Sequence, residues 1–171
     1  GGDHYDIGGE HSQLAFCPLG GMKHESDVTW GVGWVEDLLR FQGVDVGSTV
    51  TKTITQAVQQ HANAEIHEGA IPSLTNFVAR VQSTELRTAL EPYTIAGTMG
   101  HLLDAETDGL RYGRFQTFEL EHLLDMGEKN YAPVLLYLFR QIEKRLTGAP
   151  TLVPIDEAWM ALMVEMFRDK V

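Results

Sequence analysis

The sequence predicts an α/β fold in which a parallel-sheet core is interrupted by an all-helical region. Three observations predict it. Residues 112–171 alternate between strand-like and helix-like apolar segments. Residues 27–111 carry apolar side chains at helical spacing almost throughout. Residues 1–26 are rich in glycine and hold only short candidate strands. Strand, helix, strand, helix in succession is the pattern of a parallel sheet with crossover helices. The expected organisation is a core made of residues 1–26 and 112–171, with residues 27–111 inserted as a helical subdomain.

In chain order, Tyr5-Asp6-Ile7 and Leu14-Ala15-Phe16 read as short strands punctuated by Gly8-Gly9 and Pro18-Leu19-Gly20-Gly21. Asp27 is placed to cap a first helix with Trp30, Trp34, Val35, Leu38 and Leu39 on one face, ended by Gly43. Ser48 opens a second. Its Thr/Val content suggests a strand, but Val50, Ile54, Ala57, Val58 and His61 recur at helical spacing. Pro72-Ser73 opens a third through Leu74, Phe77, Val78 and Val81. Ser83 opens a short fourth through Leu86 and Leu90, which stops near Pro92. Gly97 to Gly109 reads as a loop or a frayed helix. Phe115 to Leu120 is a strand. Tyr131 to Leu146 is a helix, with Val134, Leu135, Leu138, Phe139, Ile142 and Leu146 facing inward and Arg140, Glu143, Lys144 and Arg145 outward. Gly148 and Pro150 stop it. Thr151 to Ile155 then reads as a strand and Ala158 to Phe167 as a helix.

Composition excludes several classes. Of 171 residues, 43% are hydrophobic and 22% charged, as expected of a globular protein. No apolar run approaches the roughly 20 residues needed to cross a bilayer. Gly1-Gly2-Asp3-His4 has neither a basic region nor an apolar stretch, so it does not read as a signal peptide. Cys17 is the one cysteine, which excludes an internal disulfide and fits a reducing compartment. A net charge of -11 argues against a dedicated nucleic-acid module, because phosphate backbones are repelled.

The segment Thr151-Leu152-Val153-Pro154-Ile155-Asp156-Glu157 carries the chemistry. In parallel sheets ligands bind at the carboxyl ends of strands. An acid there, Asp156, is suited to hold the water shell of a nucleotide-bound Mg²⁺. Glu157 is suited to polarise the water that attacks a γ-phosphate. This is the Walker B arrangement of a P-loop ATPase. The competing reading is a solvated helix start, with Asp156 as cap and Glu157 favouring the dipole. Pro154 interrupts the strand's hydrogen bonding in either case. The partner motif, G-x-x-x-x-G-K-[ST], is absent, since no Gly-Lys dipeptide occurs in the sequence.

Several stretches together resemble a known family. They are Phe118-Glu119-Leu120-Glu121-His122-Leu123-Leu124, Pro133 to Phe139, Ile142 to Leu146, and Pro150 to Trp159 with its Asp-Glu-Ala-Trp end. Upstream, Gly1 to Asp6, Phe16 to Leu19, Leu90 to Thr94 and Gly97 to Gly100 match as well. They resemble the CagE/TrbE/VirB family of conjugal-transfer and type IV secretion ATPases, closest to its TrbE branch. The resemblance implies a partial P-loop NTPase core, RecA-like and of the conjugative translocase type, with an all-α inserted subdomain. It implies ATP and Mg²⁺ as cofactors, Asp156 as the magnesium acid and Glu157 as the catalytic glutamate. It implies a hexamer and other secretion subunits as partners, and a cytoplasmic location at the inner face of the bacterial inner membrane. It also implies that the Walker A helix precedes this stretch and that sensor and arginine motifs follow it. Hydrolysis is then expected of the intact protein and not of this stretch alone. Pro154 departs from the family's aliphatic residue.

Other candidates have plainer readings. Glu119 and His122 have half the spacing of a carboxylate metal site, but no second copy exists. His61 and His67 do not share a helical face and read as solvated. His4 and His11 read as backbone-bonded near glycine turns, with His4 also a candidate to approach a nucleotide. Trp30, Trp34 and Cys17 read as packing. Two alternative functions remain open from the sequence: a DNA translocase or helicase motor with the same core, and an acidic helical module that docks on secretion-system subunits.

Overall fold

The computed structural model describes residues 2–9, 12–111, 113, 115–146, 148 and 150–154. It is mostly helical, with one small parallel sheet. Strand β1 (Asp3–Asp6) leads into a long loop, followed by helices α1 (Glu25–Phe41), α2 (Ser48–Glu68), α3 (Leu74–Arg80) and α4 (Thr84–Leu90). A 3₁₀ turn (Glu91–Tyr93) and the short α5 (Gly100–Leu103) come next. Then follow β2 (Gln116–Glu119), the one-turn α6 (Glu121–Leu124) and α7 (Glu128–Glu143).

The helix ends show why the chain turns where it does. Helix α1 starts two residues before the expected Asp27. His24 is its N-cap, and Asp27 at the third helical position reaches back to the His24 amide in a capping box. Gly43, at φ +80, follows its end. Gly47 caps α2, so Ser48 is its first residue and not its cap. The α2 pattern overrides its β-branched content, because Ile54, Ala57, Val58 and His61 all fall on the buried face. Gly69 at φ +68 ends α2, and the amide of Ala70 bonds the Ala64 carbonyl at 3.1 Å. Ser73 and Ser83 cap α3 and α4 with their hydroxyls, as their positions predict.

One apolar core joins these elements, including Phe16, Leu19, Trp34, Leu38, Ile54, Phe77, Tyr93, Val134 and Tyr137. Helix α1 packs on α2 on one side and on α7 on the other. Trp34 of α1 donates its indole N–H to the Pro133 carbonyl of α7, at 3.0 Å and out of water.

The four strand expectations fare differently. Tyr5-Asp6-Ile7 and Phe115–Leu120 supply β1 and β2, pairing in parallel with Tyr5 opposite Phe118 and Asp6 opposite Glu119. Leu14-Ala15-Phe16 is not a strand. It is irregular backbone held by loop partners: Phe16 N–H to Leu102 O at 2.7 Å, and Gly109 N–H to Ala15 O at 2.8 Å. Residues 151–154 are exposed and in no strand, with Leu152 87% and Val153 44% accessible. Pro154 brings no N–H to a ladder, and apolar residues without a covering layer gain nothing from pairing. Ile155 and the predicted helix Ala158–Phe167 lie outside the described residues.

Candidate functional site

The strand pair places side chains of opposite character on its two faces. On one face Tyr5 and Phe118 stack, with ring centroids 5.4 Å apart and 16° between planes. The Tyr5 hydroxyl also donates to the Arg111 carbonyl at 3.0 Å and accepts from the Arg111 amide at 2.9 Å. Period-two alternation sends His4, Asp6, Thr117 and Glu119 to the other face. There His4 Nε2 lies 3.3 Å from Glu119 Oε2, and both are largely exposed. His4 is therefore a cross-strand partner of Glu119, not a backbone-bonded turn residue.

At the carboxyl edge the chain leaves β2 into α6, which swings His122 over the end of β1. His122 Nδ1 lies 3.3 Å from Asp6 Oδ1, with 51% and 39% of the two side chains exposed. The turn after β1 makes room for this. A Cβ on Gly9 would sit 1.9 Å from Asp6 Oδ2, so the carboxylate occupies the space a side chain would take. Gly8, at φ +82, bends the chain away directly after the strand. Sequence spacing alone paired Glu119 with His122. The register gives each a different partner from β1, and no cluster suited to a metal ion exists among the described residues.

A cleft of about 680 Å³ opens between the Cys17–Gly21 loop, the end of α2 and the last turns of α7. Its polar walls are engaged in joining these elements. Both Glu65 carboxylate oxygens accept from the Gly21 amide at 3.0 Å. Asp108 accepts from the Cys17 and Leu110 amides at 3.3 and 2.8 Å and from the Tyr137 hydroxyl. Lys144 reaches Asp27 Oδ1 at 2.8 Å, beside Arg140 at 3.4 Å. Burial raises the Asp27 carboxyl, but the hydrogen bond and charge of Lys144, with the His24 amide and Arg140, outweigh it. The group is held below the ordinary carboxylate range. Cys17 is buried, its Sγ 3.3 Å from the Pro72 carbonyl, and desolvation together with Asp108 and Glu65 pushes its pKa up to about 12. Such a thiol is packing, not a nucleophile. His61, expected to be solvated, is buried on α2 edge-on to Phe77, ring centroids 5.6 Å apart.

Asp156 and Glu157 lie outside the described residues. By donor chemistry they fit Mg²⁺, which takes hard oxygen ligands and retains much of its water. A phosphate cradle with its lysine is not contained in this sequence. The parallel pair β1/β2, with Asp6 and His122 at its carboxyl edge, is the described part whose placement suits a bound ligand. Nothing in local sequence flags Asp6 with His122. They are 116 positions apart, and only the β1/β2 register brings them together.

No protein-family model matches the chain. Individual proteins do. The chain is 46% identical over 175 aligned residues to a probable conjugal transfer protein TrbE of Sinorhizobium fredii, covering all of this chain and 26% of that protein. It is 47% identical over 176 residues to the conjugal transfer protein TrbE of Rhizobium radiobacter, covering 99% of this chain and 21% of that protein. It is 24% identical over 154 residues to the type IV secretion system protein virB4 of Bartonella henselae, covering 89% of this chain and 20% of that protein. The chain thus spans about a quarter of the length of the TrbE proteins it matches.

Proposed function

We propose that this chain, which belongs to the TrbE/VirB4 family of conjugal-transfer and type IV secretion proteins, is part of an ATP-driven motor in such a system. The carrying observation is the 46% identity to a TrbE protein over the whole chain. The Asp156-Glu157 pair after an apolar run, and a parallel strand pair in the described residues, support the same reading. The fold proposed for the intact protein is a RecA-like P-loop core, with residues 27–111 as its helical insertion. The proposed partners are further copies in a hexamer and other secretion subunits at the inner membrane face. The charge of -11 favours protein over nucleic acid as the neighbour of this region.

When bound, Mg·ATP supplies a phosphoanhydride whose γ-phosphate is open to attack by water. Asp156 would hold the magnesium through its carboxylate. Glu157 accepts the proton of the attacking water at a carboxylate oxygen, which is general-base catalysis. Helix α7 is pinned by Trp34 and Asp27 of α1 and by Tyr93, and its last residue, Glu143, precedes the acids in the sequence.

The test is steady-state ATP hydrolysis by the full-length protein and its Glu157→Gln variant. Turnover is expected to fall at least about a hundredfold while nucleotide still binds, since one positioned base contributes roughly 10²–10⁴ in rate. Undiminished turnover in the variant overturns the assignment.

A further inference from the structure

We infer that the loop from Thr94 to Gly100 presents Ile95 as the apolar anchor for a basic, apolar-faced segment of another subunit of the transfer system. The inference deepens the partner reading above and rests on it for the class of partner. It needs no nucleotide.

Three observations carry it. The first is exposure. Within residues 27–111 the exposed large apolar side chains are Ile66, Ile71 and Ile95, at 50%, 44% and 73%. Ile71 and Ile95 border the same turn of α3. The Ile71 carbonyl accepts from Asn76 Nδ2 at 3.0 Å, and the Ile95 amide donates to Thr75 Oγ1 at 3.4 Å. A single exposed isoleucine is ordinary on a globular surface, whereas apolar side chains gathered within a polar rim mark a contact site.

The second is rigidity. Tyr93, Thr94 and Met99, on either side of Ile95 in the chain, are buried. The Gly97 amide bonds the Thr94 carbonyl at 2.8 Å, and the Met99 amide bonds the Pro92 carbonyl at 2.9 Å. A Cβ on Gly97 would run into the backbone of Glu91 and Pro92, so the loop is wound as tightly as glycine allows. Asp104 takes the Ile95 amide together with the amide and hydroxyl of Thr75. A loop fixed before contact gives up little freedom on binding.

The third is charge. Residues 61–79 and 88–110, which supply this end of the helical region, include Glu68, Glu91, Asp104 and Glu106 and hold no Lys or Arg. Lys144, which shares a cleft with Glu106, is bound to Asp27. Apolar side chains in an acidic field suit a partner with Lys and Arg beside its own apolar face. A second copy of this chain suits them poorly, since its net charge is -11.

Biolayer interferometry tests this, with the full-length protein immobilised and the purified soluble domain of each other subunit of the same transfer system as analyte. At least one is expected to bind, and more weakly as salt rises. Ile95→Asp is expected to weaken that binding about tenfold or more with the melting temperature unchanged, while Ile95→Leu keeps the anchor and stays near wild type. Glu68→Gln combined with Glu91→Gln is expected to slow association and flatten the salt dependence. Binding by Ile95→Asp within about twofold of wild type overturns the inference and leaves the partner reading standing. If no subunit binds wild type, both fall. A melting temperature lowered by more than about 3 °C in Ile95→Asp also overturns it, because Ile95 is then covered by the protein itself. A loss confined to self-association in sedimentation velocity overturns it as well, the occupant then being a second copy.

Discussion

The Tyr93 hydroxyl donates to the Lys129 carbonyl at 3.1 Å, and that carbonyl is the one Pro133 leaves without a helical partner. An α-helix bonds each N–H to the carbonyl four residues back, and proline has no N–H to give. Tyr93 is fully buried and is held in turn by Gln42, whose Nε2 donates to its hydroxyl at 2.9 Å. The 3₁₀ turn thus completes the first turns of α7 from outside the helix.

Replacing Tyr93 with Phe is expected to cost about 1–2 kcal/mol, because it strips the Lys129 carbonyl and the Gln42 amide of a partner at once. In a Pro133→Ala background, residue 133 regains its own N–H for that carbonyl, and the cost of Tyr93→Phe is expected to shrink by half or so. Urea denaturation of the four proteins measures the coupling. Equal costs in both backgrounds would show that the carbonyl finds no help from Tyr93.

Asp27 ties the start of α1 to the end of α7 through Lys144 and Arg140. Asp27→Asn is expected to destabilise by about 1–2 kcal/mol at neutral pH, below the usual figure for a buried pair because Lys144 is partly exposed and Arg140 keeps Glu143. Since the folded protein holds this carboxyl below its ordinary value, its contribution is present above pH ~3.9 and is lost as pH falls through the lower folded value. The variant's stability is expected to fall less steeply in that acidic range, as followed by chemical denaturation across pH.

His61 behaves in the opposite sense. Burial holds it below the usual histidine range, with Arg80 adding to the effect and the Pro72 carbonyl opposing it. Below pH ~6.5 the unfolded chain takes up a proton that the folded chain refuses, so stability declines as pH drops from that point. His61→Leu is expected to flatten this decline. Identical slopes for the variant and wild type between pH ~7 and ~5 would show that His61 is not its source.

Gly100 begins α5 against the chain that precedes it. A Cβ there would stand 2.1 Å from the Thr94 carbonyl oxygen, and both groups are backbone. Gly100→Ala is expected to cost about 2–3 kcal/mol through a forced backbone shift. Gly33→Ala meets nothing within 4 Å and is the control, expected to stabilise α1 slightly. Thermal melts of the two variants decide the point.

Cys17 is expected to resist a thiol reagent such as dithionitrobenzoate in the native protein. A thiol raised to about 12 from 9.0 holds about a thousandfold less thiolate, and the group is buried as well. Rapid labelling without denaturant would show that the loop over Cys17 opens readily.

Helices α1 to α4 and most of α7 were legible because they carry their own signals, whereas the one-turn α5 and α6 carry too few residues to show a period. Ser73 and Ser83 announce their helices, Gly43 closes α1, and the apolar stripe of α2 outweighs its threonines and valines. Strands β1 and β2 were legible for the same reason, since their faces alternate. Leu14–Phe16 misled because an apolar triplet between glycines looks like a strand, whereas its backbone partners are the loops around Leu102 and Gly109. Asp27 misled by three positions, because one acidic side chain serves equally as a cap or as the far member of a capping box.

The sequence by itself determined the helix periodicities, the caps Ser73 and Ser83, the faces of β1 and β2, the kinship with TrbE proteins and the acidic pair Asp156-Glu157. All of these are encoded within a few residues of one another or in a continuous stretch. Only the tertiary structure decided that Asp6 meets His122, that Asp27 meets Lys144, and that Tyr93 serves the carbonyl Pro133 leaves open. Each joins groups between 36 and 117 positions apart. Their meeting depends on strand register and helix packing, which follow from burying the whole core at once and from no local signal.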